Sequence, residues 1–120
     1  MSNIEKLKTF LKGINNLELI ENASDLKRLS RDFYDYSPIL KQELKSCIAD
    51  LVVRPKNIEG IIDVGRKCWE LSIPLTIRGG GTGNYGQCVP LFKGVVMHMN
   101  YFNKIEEFYP DTGFVKVQSG

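Results

Sequence analysis

Little in this sequence lends itself to metal, disulfide or membrane chemistry. Cysteine is sparse and odd in number: Cys47, Cys68 and Cys88 stand well apart, with no C-x-x-C pair. Histidine occurs once, as His98, with no second ligand close by, so a zinc or iron–sulfur site on short spacing is excluded. With no signal peptide in view, three thiols read as reduced cysteines in a cytoplasmic setting. The plainer role of each is a small buried hydrophobe. No apolar run approaches the ~20 residues of a membrane span, and the N-terminus has no apolar h-region. An excess of one charge is missing too. Sixteen Lys and Arg face 14 Asp and Glu, leaving +2 and no basic stripe to suggest a nucleic-acid partner. At 120 residues and 42% hydrophobic, the chain holds one domain at most and can bury a core without cross-links.

What is present changes character near residue 50. Residues 3–20 read as a helix, with Ile4, Leu7, Phe10, Leu11 and Ile14 at helical spacing and Lys6, Lys8 and Lys12 opposite. Ser24 or Asn22 caps a second short helix through Leu26 and Leu29 towards Phe33. The aromatic stretch 31–38 is irregular because Pro38 disfavours helix at Ser37, and residues 39–46 resume a helical turn or two.

From there strands dominate. Leu51-Val52-Val53-Arg54, stopped by Pro55, is a buried strand. Asn57 caps a helix whose face is Ile58, Ile61, Ile62, Gly65, Cys68 and Trp69, ended before Pro74. Residues 74–78 form a second strand, parallel to the first through a right-handed crossover. Gly94 to Met99 forms a third strand. Ile105–Tyr109 and Phe114–Gln118 then flank the turn Asp111-Thr112-Gly113, as a hairpin. The expectation is an α+β fold: a helical extension over 1–48, then a βαβ unit and a β-meander over 49–120.

The informative segment is Arg78-Gly79-Gly80-Gly81-Thr82-Gly83-Asn84-Tyr85-Gly86-Gln87. So many glycines are costly to order, yet a backbone without Cβ atoms can turn successive N–H groups onto an anion such as a phosphate or pyrophosphate. A purely structural turn is the other reading. Gly81 to Gly86 matches G-x-G-x-x-G by letter, with Glu106 downstream, but Pro90 and the strand at Val95 leave no room for the helix a Rossmann site needs. A Walker loop fails as well, since Gln87 stands where Lys is required and Cys88 where Ser or Thr is required.

The strand ending at Pro55, the Asn57 helix, the stretch 73–78, the run Gly79–Gly86 and Gly94-Val95-Val96 together resemble the FAD-linked oxidases of the vanillyl-alcohol oxidase type, with their PCMH-type FAD-binding domain. The loop Arg78 to Leu91 and the stretch Leu29 to Leu40 are most similar to the glycolate oxidase and D-lactate dehydrogenase-like branch. The resemblance implies that Gly79, Gly80, Gly81, Thr82, Gly83 and Asn84 cradle the FAD diphosphate. It implies that Tyr85, Gly86 and Gln87 continue towards the flavin. Arg78 is open between a phosphate clamp and a partner for a core-edge carboxylate. Some relatives tether flavin through a histidine where this chain has Thr82, so a non-covalent FAD is implied.

The resemblance also implies oxidation of a small 2-hydroxy acid by hydride transfer to FAD. In that family the rest of the flavin domain and the substrate domain come later than Gly120, so the chain is expected to be an N-terminal portion, inactive alone. No residue singles itself out as acid or base; His98 reads as a strand residue. The alternative is a non-catalytic truncated domain serving interaction or phosphate binding without FAD.

Overall fold

The computed structural model describes residues 1–120. Helix α1 (Asn3–Lys12) opens on a capping box, in which the Ser2 hydroxyl accepts from the Glu5 N–H and the Glu5 carboxylate accepts from the Ser2 N–H. It stops at Gly13, well short of the expected helix to residue 20. Leu17–Ile20 instead forms strand β1. Gly13 and the Asn15-Asn16 pair break the helix, and pairing with the next strand outweighs the apolar spacing. Helix α2 (Ala23–Leu29) is capped by Asn22, a single 3₁₀ turn covers Tyr34–Tyr36, and α3 (Pro38–Leu44) starts on Ser37 with Pro38 in its first turn.

Strand β2 (Leu51–Pro55), helix α4 (Ile58–Glu70) and strand β3 (Leu75–Arg78) form the crossover unit. Strand β4 (Val95–His98) inserts between its two strands, giving the order β1-β2-β4-β3. β2, β4 and β3 run parallel, and β1 lies antiparallel on β2. The third strand is therefore the centre of the sheet and no part of a meander. Its neighbours fit because Val95 and Val96 are buried on opposite faces, as a strand covered on both sides must be. On one face Leu51, Val53, Val95 and Met97 pack against Leu7 and Leu11 of α1 and Val64 and Cys68 of α4. On the other, Val52 and Val96 pack with Ile20, Ala49 and Leu29 of α2.

Helix α4 is rotated from the expected face. Gly60, Val64 and Cys68 are buried, while Ile58, Ile62 and Trp69 point outward. Gly60 sets the rotation: a Cβ there would lie 3.0 Å from the Asn16 carbonyl and 3.0 Å from Leu17 Cδ2. Strands β5 (Ile105–Tyr109) and β6 (Phe114–Val117) form the expected hairpin, with Gly113 at φ 75° in its turn. They make a separate two-stranded sheet, exposed on both faces.

Candidate functional site

All three parallel strands end on one edge of the sheet, where open α/β sheets bind their ligands, and the glycine loop departs from the end of β3. A polar row crosses this edge. Glu18 lies opposite Arg54, and His98 opposite Arg78. Arg54 donates to Glu18 at 3.2 Å through Nη1 and to His98 Nδ1 at 3.3 Å through Nε, joining the row. Burial pushes His98 down to about 4, and the positive charges of Arg54, Arg78 and Arg28 act in the same direction. His98 is thus a neutral acceptor between two arginines, with its ring also against the Gly79 carbonyl.

Arg78 is buried, and it meets no carboxylate. Its Nη1 donates to the carbonyls of Leu29 and Arg31 and lies 3.4 Å from Cys88 Sγ. Its Nε is buried without a partner. The guanidinium lies where a Cβ of Gly81 would be, and Gly81 has φ 68°. Glycine is thus required at 81 both for its backbone angle and for the arginine beneath it. Burial holds the Cys88 thiol above its usual pKa, partly offset by the nearby Arg78 charge, so Cys88 is a packing residue.

The loop is braced from the helical segment by Asp32, a residue the sequence reading did not single out. Its carboxylate is buried, accepting the Tyr34 N–H and the Gly86 N–H at 2.8 Å each. The Phe33 N–H donates to the Gly83 carbonyl at 2.8 Å. Gln87 folds back over the loop: its Oε1 accepts from the Tyr85 N–H at 3.2 Å and fills the place of a Gly83 Cβ. Nothing in the run Arg31-Asp32-Phe33-Tyr34-Asp35 marks Asp32 over Asp35, which instead pairs with Arg31 at the surface. Only the chain's return beside Gly86 gives it this position.

With the loop so held, the N–H groups of Gly80, Gly81, Thr82, Gly83 and Asn84 donate to no acceptor in the chain. The Thr82 and Asn84 side chains are exposed beside them. Gly80, Gly81 and Arg78 line a cleft of about 470 Å³ whose opposite wall, on α2 and the segment after it, carries Lys27, Arg28 and Arg31. Unpartnered backbone N–H groups can turn onto an anion, and Gly80 and Gly81 face a cleft whose cations share its lining with Asp32 and Asp35. The structure brings Arg78 and the loop together with cations from the helical segment, which the sequence spacing did not show.

Comparison with known proteins identifies the family. The FAD binding domain family matches residues 49–120. The chain is 39% identical over 70 residues to the glycolate oxidase subunit GlcD of Escherichia coli K12, covering 58% of this chain and 14% of that protein. It is 31% identical over 72 residues to the mitochondrial D-2-hydroxyglutarate dehydrogenase of Danio rerio, covering 60% and 14% of the two chains. With D-lactate dehydrogenase of Archaeoglobus fulgidus the identity is 38% over 56 residues, covering 47% and 13%. The chain thus spans about one seventh of the length of such relatives.

Among solved structures, alkyldihydroxyacetonephosphate synthase superposes with a TM-score of 0.69 at 16% identity, covering 89% of this chain and 21% of that one. A BBE-like protein of Physcomitrella patens gives 0.63 at 10% identity, covering 93% and 22%. These two share the fold, that of PCMH-type FAD-binding domains. Fold and sequence agree: the chain belongs to the FAD binding domain family, takes FAD as its cofactor, and is related to oxidoreductases.

Proposed function

We propose that residues 1–120 form the diphosphate-binding part of a flavoenzyme that oxidises a small 2-hydroxy acid. The observation that carries this reading is the run of free N–H groups from Gly80 to Asn84. When bound, FAD supplies the hydride acceptor for such an oxidation. Gly79 to Asn84 hold the diphosphate, with donors added by the Thr82 hydroxyl and Asn84 amide. Tyr85, Gly86 and Gln87 lead towards the flavin end, with Gln87 and Asp32 keeping the loop in shape. Arg78 fixes the loop from below and lends its positive charge. Residues 49–120 act as the cofactor portion, and 1–48 as an extension that braces it.

FAD is held non-covalently, since Thr82 occupies the loop position where a tether would form and His98 is already engaged by Arg54. The 2-hydroxy acid class is supported by the names of the relatives, which include glycolate oxidase, D-lactate dehydrogenase and D-2-hydroxyglutarate dehydrogenase. Substrate is bound by parts of the protein outside these residues. Free Cys47, Cys68 and Cys88 suit a reducing compartment such as the cytoplasm. No helix is long and apolar enough to cross a membrane.

The visible spectrum of the purified intact protein tests the reading. A flavin absorbance is expected, with the chromophore released as FAD into the supernatant when the protein is denatured. A colourless protein that also ignores added FAD would contradict the proposal.

A further inference from the structure

A second cleft adjoins the first on its far side from the glycine loop. It measures about 550 Å³ and lies between α2 and α3, where Lys27, Arg31, Lys41 and Lys45 line it together with Pro38 and Gln42. No carboxylate lines it. This sets it apart from the cleft at the loop, where Asp32 and Asp35 interrupt the cations. Charge is left uncompensated here. Lys27, Lys41 and Lys45 hold no ion-pair partner, as is also true of Lys6, Lys56, Arg66, Lys93 and Lys104, but these three stand together around one groove. Arg31 is engaged with Asp35 and lies over the Tyr34 ring.

Four cations around an open groove repel one another, and that repulsion is relieved by anionic groups arriving from outside. Beside this groove the chain exposes apolar side chains. Tyr36 is 83% exposed and Ile39 is 75% exposed, flanking Pro38 in sequence. A basic groove next to an aromatic and an aliphatic anchor has the composition of a protein interface, an apolar contact with a charged surround.

We propose that the groove between α2 and α3 docks an acidic polypeptide segment, with carboxylates paired to Lys27, Lys41 and Lys45 and an apolar side chain meeting Tyr36 and Ile39. The site is separate from the flavin cradle, although the two share Lys27 and Arg31 along their common wall. A nucleic-acid backbone suits it less, because cations would have to continue along a track, whereas the chain as a whole carries only +2. A membrane surface suits it less because α3 is seven residues long, too short to lie as an interfacial helix.

The test uses the intact protein and a fluorescent deca-glutamate peptide, followed by anisotropy at low and at moderate salt. Binding that weakens with salt is expected. The double variant Lys41→Glu/Lys45→Glu should lose at least about tenfold in affinity. The matched variant Lys6→Glu/Lys104→Glu, on surfaces away from the groove, should stay within about twofold. FAD binding should be the same in both variants, so this result stands apart from the flavin reading. Absence of peptide binding would overturn the proposal, as would equal losses in the two variants. Tighter binding of a DNA oligonucleotide of equal charge, or of phosphatidylserine vesicles, would overturn it as well.

Discussion

At the scale of single residues, Asp32 and His98 do the most to shape the site. The Asp32 carboxylate holds the Tyr34 and Gly86 N–H groups from a buried position, tying the helical segment to the loop. Asp32→Ala leaves both donors without an acceptor, a cost of about 2–3 kcal/mol, so chemical denaturation should show that loss and FAD should bind more weakly. Asp32→Asn keeps one acceptor and should fall between the two. Stability and FAD affinity equal to those of the parent in both variants would remove Asp32 from the account.

His98 gives a prediction in pH. Its folded pKa is lowered to about 4 by burial and by its arginine neighbours, against about 6.5 in the unfolded chain. Above the unfolded value both states are neutral, and the contribution of His98 is fully present. As pH falls from about 6.5 towards 4 the unfolded state takes up the proton first, so stability declines across that window. Below it both states are charged and the decline ends. An NMR titration of the single imidazole should show a midpoint near 4; a midpoint above 6 would contradict the arginine-flanked geometry.

At the scale of elements, the parts legible in the sequence were those with local signals. Asn57 announced the start of α4, Pro74 its end, and Asp111-Thr112-Gly113 the hairpin, because caps and turns are encoded by the residues that form them. The pairing of β4 between β2 and β3 was not legible, since it depends on contacts distant in sequence. Nor was β1, where Leu17-Glu18-Leu19-Ile20 suits a strand or a helix equally until β2 lies beside it. The rotation of α4 escaped for a similar reason: Ile58, Ile62, Gly65 and Trp69 form a helical stripe as regular as the buried one. The glycine loop itself was legible, but its braces Asp32 and the α2 cations were not, because only the fold brings them near.

The two glycines of α4 test its packing by their opposite signs. Nothing lies within 4 Å of a Cβ at Gly65, so Gly65→Ala should stabilise the chain by the helix-propensity difference, about 0.5–1 kcal/mol. At Gly60 the added methyl presses on Asn16, Leu17 and Pro55, so Gly60→Ala should lose that gain and destabilise by about 1 kcal/mol. Denaturation midpoints of the two variants moving in the same direction would show that α4 is seated otherwise.

At the scale of the whole molecule, the shape reflects a sheet with a core and a hairpin without one. The radius of gyration is 15.7 Å, above the roughly 14 Å of a compact chain of this length. Strands β5 and β6 lie outside the core: Ile105, Phe108, Phe114 and Val117 remain exposed there, and a lone two-stranded hairpin is marginal in water. The inner strands β2 and β4, by contrast, are covered on both faces, and the glycine loop at their edge is held by the buried Asp32 and Arg78. That division sets the glycine loop on the part of the chain that has a core, and under the function proposed above its preorganised donors bind at the least entropic cost.

Gly80 offers the sharpest probe of the cofactor role proposed for the loop. A Cβ there lies 3.6 Å from Thr82 Cγ2, an ordinary contact, in contrast to Gly81, where it would strike Arg78. Gly80→Val therefore adds bulk on the open side of the loop without disturbing its support. Titration of FAD into the flavin-free intact protein, parent against Gly80→Val, should show affinity reduced at least about tenfold, with the melting temperature within about 2 °C. An unchanged FAD affinity in Gly80→Val, or a parent protein that binds no FAD, would contradict the assignment of the loop to the cofactor's diphosphate.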